Sequence, residues 1–366
     1  MFRKPFARFC LHELNVAPVY RIEEGIGNVH KNLETFSGIY DVLKNNGNLV
    51  VFSEGICVQE KRLQKLRKGT ARMAFGAEEK FGLDVNIVPV GINYTYPAKF
   101  RREVMINFHE SFSIKELKED YNANPAKALL SFNERVNVSL RKEVIIVEDP
   151  ANDWLAEQLL IMERNNHVHP LFKWRFKTDE RRMFEKALCD KINIISTSSK
   201  DTLDRITSKV KAYSDLLGKN RLKDENLARK LDYGFLRYLA IVAVLPLFLA
   251  GYLSNLIPFI LPKFICNKLI KDPRFYSSVY VSSGTVLYLI YFPVVLILTG
   301  VLFGWQAFLL AFLIPVLGYL VLFYQEIFWE RLRTLRFVWK RTINPALIEE
   351  LTTQRRNIFA ELNSFK

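Results

Sequence analysis

Hydrophobic and polar positions divide this chain into three regimes. Up to about residue 150, short apolar runs alternate with amphipathic stretches. Val16–Tyr20, Leu49–Phe52, Val85–Tyr94 and Val104–Phe108 read as strands, with helices over about Val29–Lys44 and onward to about Phe81. Pro89 lies inside the third of these strands and marks an edge or a bulge there. Helix and strand in alternation predict an α/β layer rather than a bundle. From Asp149 to Leu231 the pattern turns helical and heavily charged, with no glycine before Gly218, so two or three packed helices are expected. The third regime is apolar: residues 238–262 and 275–325 carry no charged side chain. The second block, 51 residues long, is too long for one core helix and suffices for two membrane crossings at about 20 residues each. Pro246, Gly251, Asn255 and Pro258 break the first block, which reads as a re-entrant hairpin. The second reads as a two-pass hairpin turning near Gly300–Trp305. The expected organisation is an α/β domain over 1–150, a helical extension over 151–232, a membrane region over 233–329 and a basic tail over 330–366.

Charge refines this picture. The formal net charge of +14 is shared equally: 39 basic less 32 acidic residues leave +7 over 1–232, and 13 less 6 leave +7 over 233–366. Such a balance suits nucleic acid or anionic lipid. With membrane spans present anionic lipid is favoured, and no nucleic-acid motif appears. The connector Lys263–Arg274 is +3 and the tail Glu330–Lys366 is +4, which assigns both, and the amino-terminal domain with them, to the cytoplasmic side of an inner, cytoplasmic membrane. The apolar blocks hold no ionisable residue in their interior, which argues against a transporter. Residues 1–15 read as a basic amphipathic helix with Phe2, Phe6 and Phe9 on one side; no apolar stretch follows that would make them a signal peptide. Cys10, Cys57, Cys189 and Cys266 are scattered and fit a reducing compartment.

The candidate chemistry gathers in Asn48–Ala74, NLVVFSEGICVQEKRLQKLRKGTARMA. An apolar run ends abruptly at Ser53-Glu54-Gly55, where a carboxylate and a tight turn would face a crevice at a strand's carboxyl end. Six cations follow with no acid among them: Lys61, Arg62, Lys65, Arg67, Lys68 and Arg72. Lys68-Gly69-Thr70 reads as a helix start, with Thr70 able to cap it and Gly69 leaving room for an anion at free amides. One acid, one turn and one cationic helix tip suit a small hydroxylated ligand that bears phosphate. Elsewhere, GIGNVH lacks the full dinucleotide fingerprint. Glu163, His167 and His169 make a weak metal cluster, read as surface and capping residues, and no G-x-S-x-G elbow is present.

VVFSEGICVQEKRLQKLRKGTARMAF resembles the third motif of the glycerolipid acyltransferases, the glycerol 3-phosphate and lysophosphatidate enzymes, in which Phe-Pro-Glu-Gly precedes a lysine-rich helix start. Ser53 stands where the family has proline, and Ile56 where it has threonine or serine. APVYRIEEG resembles the second motif, whose arginine, here Arg21, is implied to hold the acceptor's phosphate in its planar fork. VNIVPVGINY resembles the fourth, implied to line the acyl side. The resemblance implies an acyl thioester donor, coenzyme A or acyl carrier protein, an acceptor that is glycerol 3-phosphate or lysophosphatidate, and no other cofactor. It implies that Arg21, Glu54, Gly55, Lys68 and Gly69 bind substrate. The family's catalytic pair, a histidine base with an aspartate five residues on, is missing: Ala17, Thr35, Ile114, Phe172 and Trp174 follow the five histidines at that spacing. The expectation is a sequence that begins after the first motif and is catalytically inactive as it stands. The alternative is a natural non-catalytic membrane protein that binds anionic lipid or phosphate-bearing lipid precursors.

Overall fold

A computed structural model describes residues 9, 11, 13–17, 31–56, 58–96, 103–167, 178–228, 234–272 and 275–365. Residues 18–20 of the expected strand Val16–Tyr20, most of the helix at 1–15, and Arg21 lie outside these. The chain forms two compact units: residues 1–93 with 104–145, and residues 94–103 with 146–366.

In the first unit the described elements are α1 (Lys31–Lys44), α2 (Gly69–Phe81), β1 (Asn86–Ile87), β2 (Val90–Tyr94), β3 (Val104–Phe108), β4 (Phe112–Ser113), α3 (Lys118–Ala123) and α4 (Pro125–Glu143). Helix α2 turns Ala71, Ala74 and Phe75 into a core completed by Leu66, Phe112, Ile114, Ala128, Phe132 and Val136. Phe75 stacks on Tyr121 with ring centroids 4.2 Å apart and meets Phe132 edge-on at 6.1 Å. Gly82 stops the helix in the left-handed conformation, φ 62°, its amide donating to the Glu78 carbonyl. Helix α4 is started by Asn124, whose side chain accepts from the Lys127 amide, with Pro125 at the first helical position.

The α/β layer expected from the sequence is not what the described residues form. The chain is mostly helical, and its strands make two separate two-stranded sheets, β1 with β4 and β2 with β3. Val85–Tyr94 is two strands rather than one, because Val88-Pro89 interrupts the pairing: Pro89 has no amide to give, while its carbonyl accepts from the His109 amide at 2.9 Å. Leu49–Phe52 is not a strand. Val50 is 83% and Phe52 75% exposed, since no neighbouring strand or helix layer covers them among the described residues.

The second unit opens on α5 (Asp153–Asn166), α6 (Thr178–Ser198), α7 (Lys200–Lys219) and α8 (Glu225–Ala228). Its centre is a buried ionic cluster. Arg164, 2% exposed, forks onto both carboxylate oxygens of Glu185, at 2.8 and 2.6 Å, and gives another nitrogen to the Thr95 carbonyl at 3.2 Å. Arg181 donates to the same carboxylate at 2.9 Å and pairs with Glu103. Thr95 and Glu103 are thereby fastened to the helices. Burial pushes the Glu185 carboxyl up, but hydrogen bonds from Arg164 and Arg181 and their charges outweigh it and hold the group below its ordinary value.

The remaining helices are α9 (Phe235–Ser254), α10 (Leu256–Leu269), α11 (Tyr276–Phe303), α12 (Trp305–Ala311), α13 (Ile314–Ile343) and α14 (Pro345–Ser364). Tyr276–Phe303 and Trp305–Ile343 are long and apolar enough to cross a membrane, and α9 with α10 makes a third if the pair, bent by 57°, acts as one span. The bend falls at Asn255, which is fully buried. Its amide nitrogen donates to the carbonyls of Gly251 at 2.9 Å and Ile314 at 3.0 Å, and its oxygen accepts from the Tyr288 hydroxyl at 3.0 Å. A side chain at Gly318 would come within 2.8 Å of that oxygen, so glycine admits the close approach. One side chain thus joins the broken helix to both long spans.

Two outcomes are expected. Glu185→Gln leaves Arg164 buried without its counter-charge and lowers unfolding stability by about 3 kcal/mol, read as thermal unfolding in detergent. Because Glu185 titrates below its ordinary value of 4.5, its contribution is complete above that pH and is lost as the pH falls through the lowered folded-state value. The variant's acid limb is therefore flatter than the parent's. Asn255→Leu removes four side-chain hydrogen bonds from the membrane region, the fourth to the Ser254 hydroxyl, and costs at least about 1 kcal/mol in a denaturing-detergent titration.

Candidate functional site

The Glu54-Gly55 turn and the start of α2 are held together by a short ladder. The Ser53 carbonyl accepts from the Arg67 amide at 2.7 Å, and one oxygen of Glu54 accepts from the Gln64 amide at 2.9 Å. The Ser53 and Thr70 hydroxyls lie 2.9 Å apart. Residues ten to seventeen apart in sequence are therefore neighbours. The turn itself is closed by the Gly55 amide donating to the Phe52 carbonyl at 3.0 Å, with Gly55 at φ 64°. An added Cβ there would meet a strained backbone and the Arg67 side chain at 3.3 Å, so glycine is required twice over.

The far side of the ladder is anchored in the core. Leu66 is buried against α2 and α4, and its carbonyl accepts from the Asn133 side chain at 3.2 Å. Helix α2 then begins at Gly69, with Lys68 as the preceding residue and no side-chain cap. Its opening amides have no partner in the preceding turn of helix and lie beside the exposed Lys65, Arg67 and Lys68. The arrangement can bind an anion through amides, dipole and cations together. A carboxylate in the same turn keeps a second oxygen with which to accept from a hydroxyl.

Of the residues singled out in the sequence, Glu54 and Gly55 flank the near end of this ladder and Lys68 and Gly69 its far end. Arg21 lies outside the described residues. Thr70 does not cap α2; its hydroxyl is engaged by Ser53 instead, within the first turn. Ser53 thus offsets part of the rigidity lost with the family's proline. Gln64 and Asn133 also hold the loop and carry no signal in the sequence: Gln64 acts through its own backbone amide on the Glu54 carboxylate, and the Asn133 side chain acts on the backbone carbonyl of Leu66, 67 residues away. A histidine–carboxylate contact does occur in this unit: His109 Nδ1 lies 3.0 Å from Glu143 Oε1, where the end of β3 meets the end of α4. The two are 34 residues apart and do not reproduce the family's spacing. Among the described residues no group of three metal-ligating side chains is found.

The family described as Acyltransferase matches residues 1–93. Glycerol-3-phosphate O-acyltransferase 1 of Saccharomyces cerevisiae is 36% identical over 89 residues, 24% of this chain and 12% of that protein. Glycerol-3-phosphate O-acyltransferase 2 of the same yeast is 28% identical over 111 residues, 30% of this chain and 15% of the relative. The chain therefore matches only a small part of the length of these curated relatives. No solved structure matches it significantly. With the Glu-Gly turn and the lysine-rich helix start inside the matched stretch, residues 1–93 match an acyltransferase domain and are similar to part of the yeast glycerol-3-phosphate O-acyltransferases.

Proposed function

We propose that the chain belongs to a membrane-bound system that transfers a fatty acyl group from a thioester, of coenzyme A or acyl carrier protein, to glycerol 3-phosphate or lysophosphatidate. The single observation carrying this reading is the hydrogen-bonded ladder that sets the Glu54-Gly55 turn beside the Lys68-Gly69 helix start. Lys68 and the opening amides of α2 hold the acceptor's phosphate, with Arg21 as its second clamp. Glu54 accepts from a glycerol hydroxyl while its other oxygen braces the loop at Gln64. The apolar helices keep the site near its lipid substrates, with the amino-terminal unit on the cytoplasmic side of the inner membrane.

Catalysis needs a base to take the hydroxyl proton as the oxygen attacks the thioester carbonyl. The His-x4-Asp pair that would supply it does not occur in this sequence. That favours a specific second reading, in which this polypeptide binds phosphate-bearing lipid precursors without turning them over.

The two readings separate cleanly. An acyltransferase assay on this polypeptide is expected to give turnover at or near background, and substantial turnover would remove the requirement for the pair. In a longer form that carries a His-x4-Asp segment, Arg21→Ala and Glu54→Ala each raise the acceptor KM about tenfold or more, or abolish turnover, as expected for losing a charge-assisted bond. Unchanged kinetics in both variants would overturn the assignment of the site.

A further inference from the structure

A second basic site lies in the carboxyl-terminal unit, away from the sequence that resembles any family. An open, shallow groove of about 560 Å³ lies where the end of α7 meets the charged half of α13. Lys219, Arg221, Arg336 and Lys340 line it, and no acidic side chain does among the described residues. Lys340 Nζ lies 3.5 Å from Asn220 Oδ1, which holds the two walls together. Arg221 sits at φ 54°, the left-handed position that follows a helix and that glycine occupies most easily.

The other wall is apolar. Leu332, Leu335 and Trp339 complete the lining, and all three are exposed, Trp339 by 59%. They belong to a longer stripe, Phe328, Leu332, Leu335, Trp339 and Ile343, whose spacing puts it on one face of α13. The opposite face, with Thr334 and Phe337, is buried. The uncharged membrane block ends at Gln325, so this stripe carries lipid-compatible surface about five turns further along the same helix. Tryptophan beside arginine and lysine at the end of a span is the composition of the bilayer interface.

Neither wall alone specifies a ligand, but together they do. We propose that this groove binds the headgroup of an anionic glycerophospholipid, its phosphate held by Arg336, Lys340, Lys219 and Arg221 and its acyl chains lying along Leu332, Leu335 and Trp339. The site is separate from residues 1–93 and does not depend on the proposed acyl transfer. It rests on the apolar helices lying in a bilayer.

The test uses the full chain in neutral detergent micelles, titrated with phosphatidylglycerol and with phosphatidylcholine and read by native mass spectrometry. Phosphatidylglycerol is neither substrate nor product of the proposed transfer, so failure here leaves that reading untouched. It is expected to bind at least tenfold tighter than phosphatidylcholine. The double variant R336A/K340A loses at least tenfold of that affinity, at about fivefold per cation. R336K keeps most of it, and K200A/K211A, on exposed parts of α7, keeps all of it. Trp339→Ser with Leu335→Ser weakens binding as well. Equal affinity for the two lipids, or no loss in R336A/K340A, overturns the proposal. Displacement of the lipid by equimolar glycerol 3-phosphate overturns its lipid part, because the groove would then be reading a soluble phosphate.

Discussion

The hydrogen bond from the Arg67 amide to the Ser53 carbonyl is the constraint on which the candidate site depends. Residues 56–67 have no helix or strand of their own among those described, so nothing else in regular structure fixes where the cationic run begins. Ordering such a loop costs backbone entropy at every residue. The cost is offset where the loop touches fixed structure: at Ser53 and Glu54 on one side, and at Leu66 on the other. Leu66 is in the core and its carbonyl is held by Asn133 of α4, so the position of the helix tip is inherited from the packing of Phe75, Phe132 and Phe112. A change in that aromatic cluster would reach the opening amides of α2 without touching any residue near them.

The same unit shows which parts of a fold are written locally. Gly69–Phe81 and Val104–Phe108 stand where the apolar periodicity puts them, because capping glycines, a basic helix start and a run of β-branched and aromatic residues act over a few neighbours. Leu49–Phe52 has equally strong strand composition and is not a strand. Strand formation is settled by a partner, and a period-two pattern says nothing about whether one is available. The tie between Ser53 and Thr70 was hidden for a related reason: both residues have local roles, turn and cap, that the tertiary contact displaces. The break in the first apolar block was legible from its prolines and Asn255. What Asn255 touches was not, since Ile314 and Tyr288 are 59 and 33 residues away.

The second unit treats charge in two opposite ways. At Arg164 a guanidinium is buried completely, and its cost is met by a bidentate carboxylate, a carbonyl and a stack over the Tyr96 ring at 4.9 Å. That cluster ties Thr95, Tyr96 and Glu103 to the helices. At the groove between α7 and α13 the cations are left on the surface beside apolar side chains. Nearby, Arg333 is already taken by Glu225, at 2.5 Å, and Arg355 by Asp224, at 2.8 Å. Fixed pairs hold the helices together and leave other cations for the groove.

Helix α13 is continuous over 30 residues, about 45 Å, with no glycine or proline after Gly318. The portion beyond Gln325 is about 27 Å long and has no joint at which to flex. A rod of this kind converts bilayer thickness into displacement. If a thinner or thicker membrane alters the tilt of the span by about 10°, the far tip of the helix swings by about 5 Å. Hydrocarbon depth would then be felt mechanically, through stiffness alone, by whatever packs against the end of that lever.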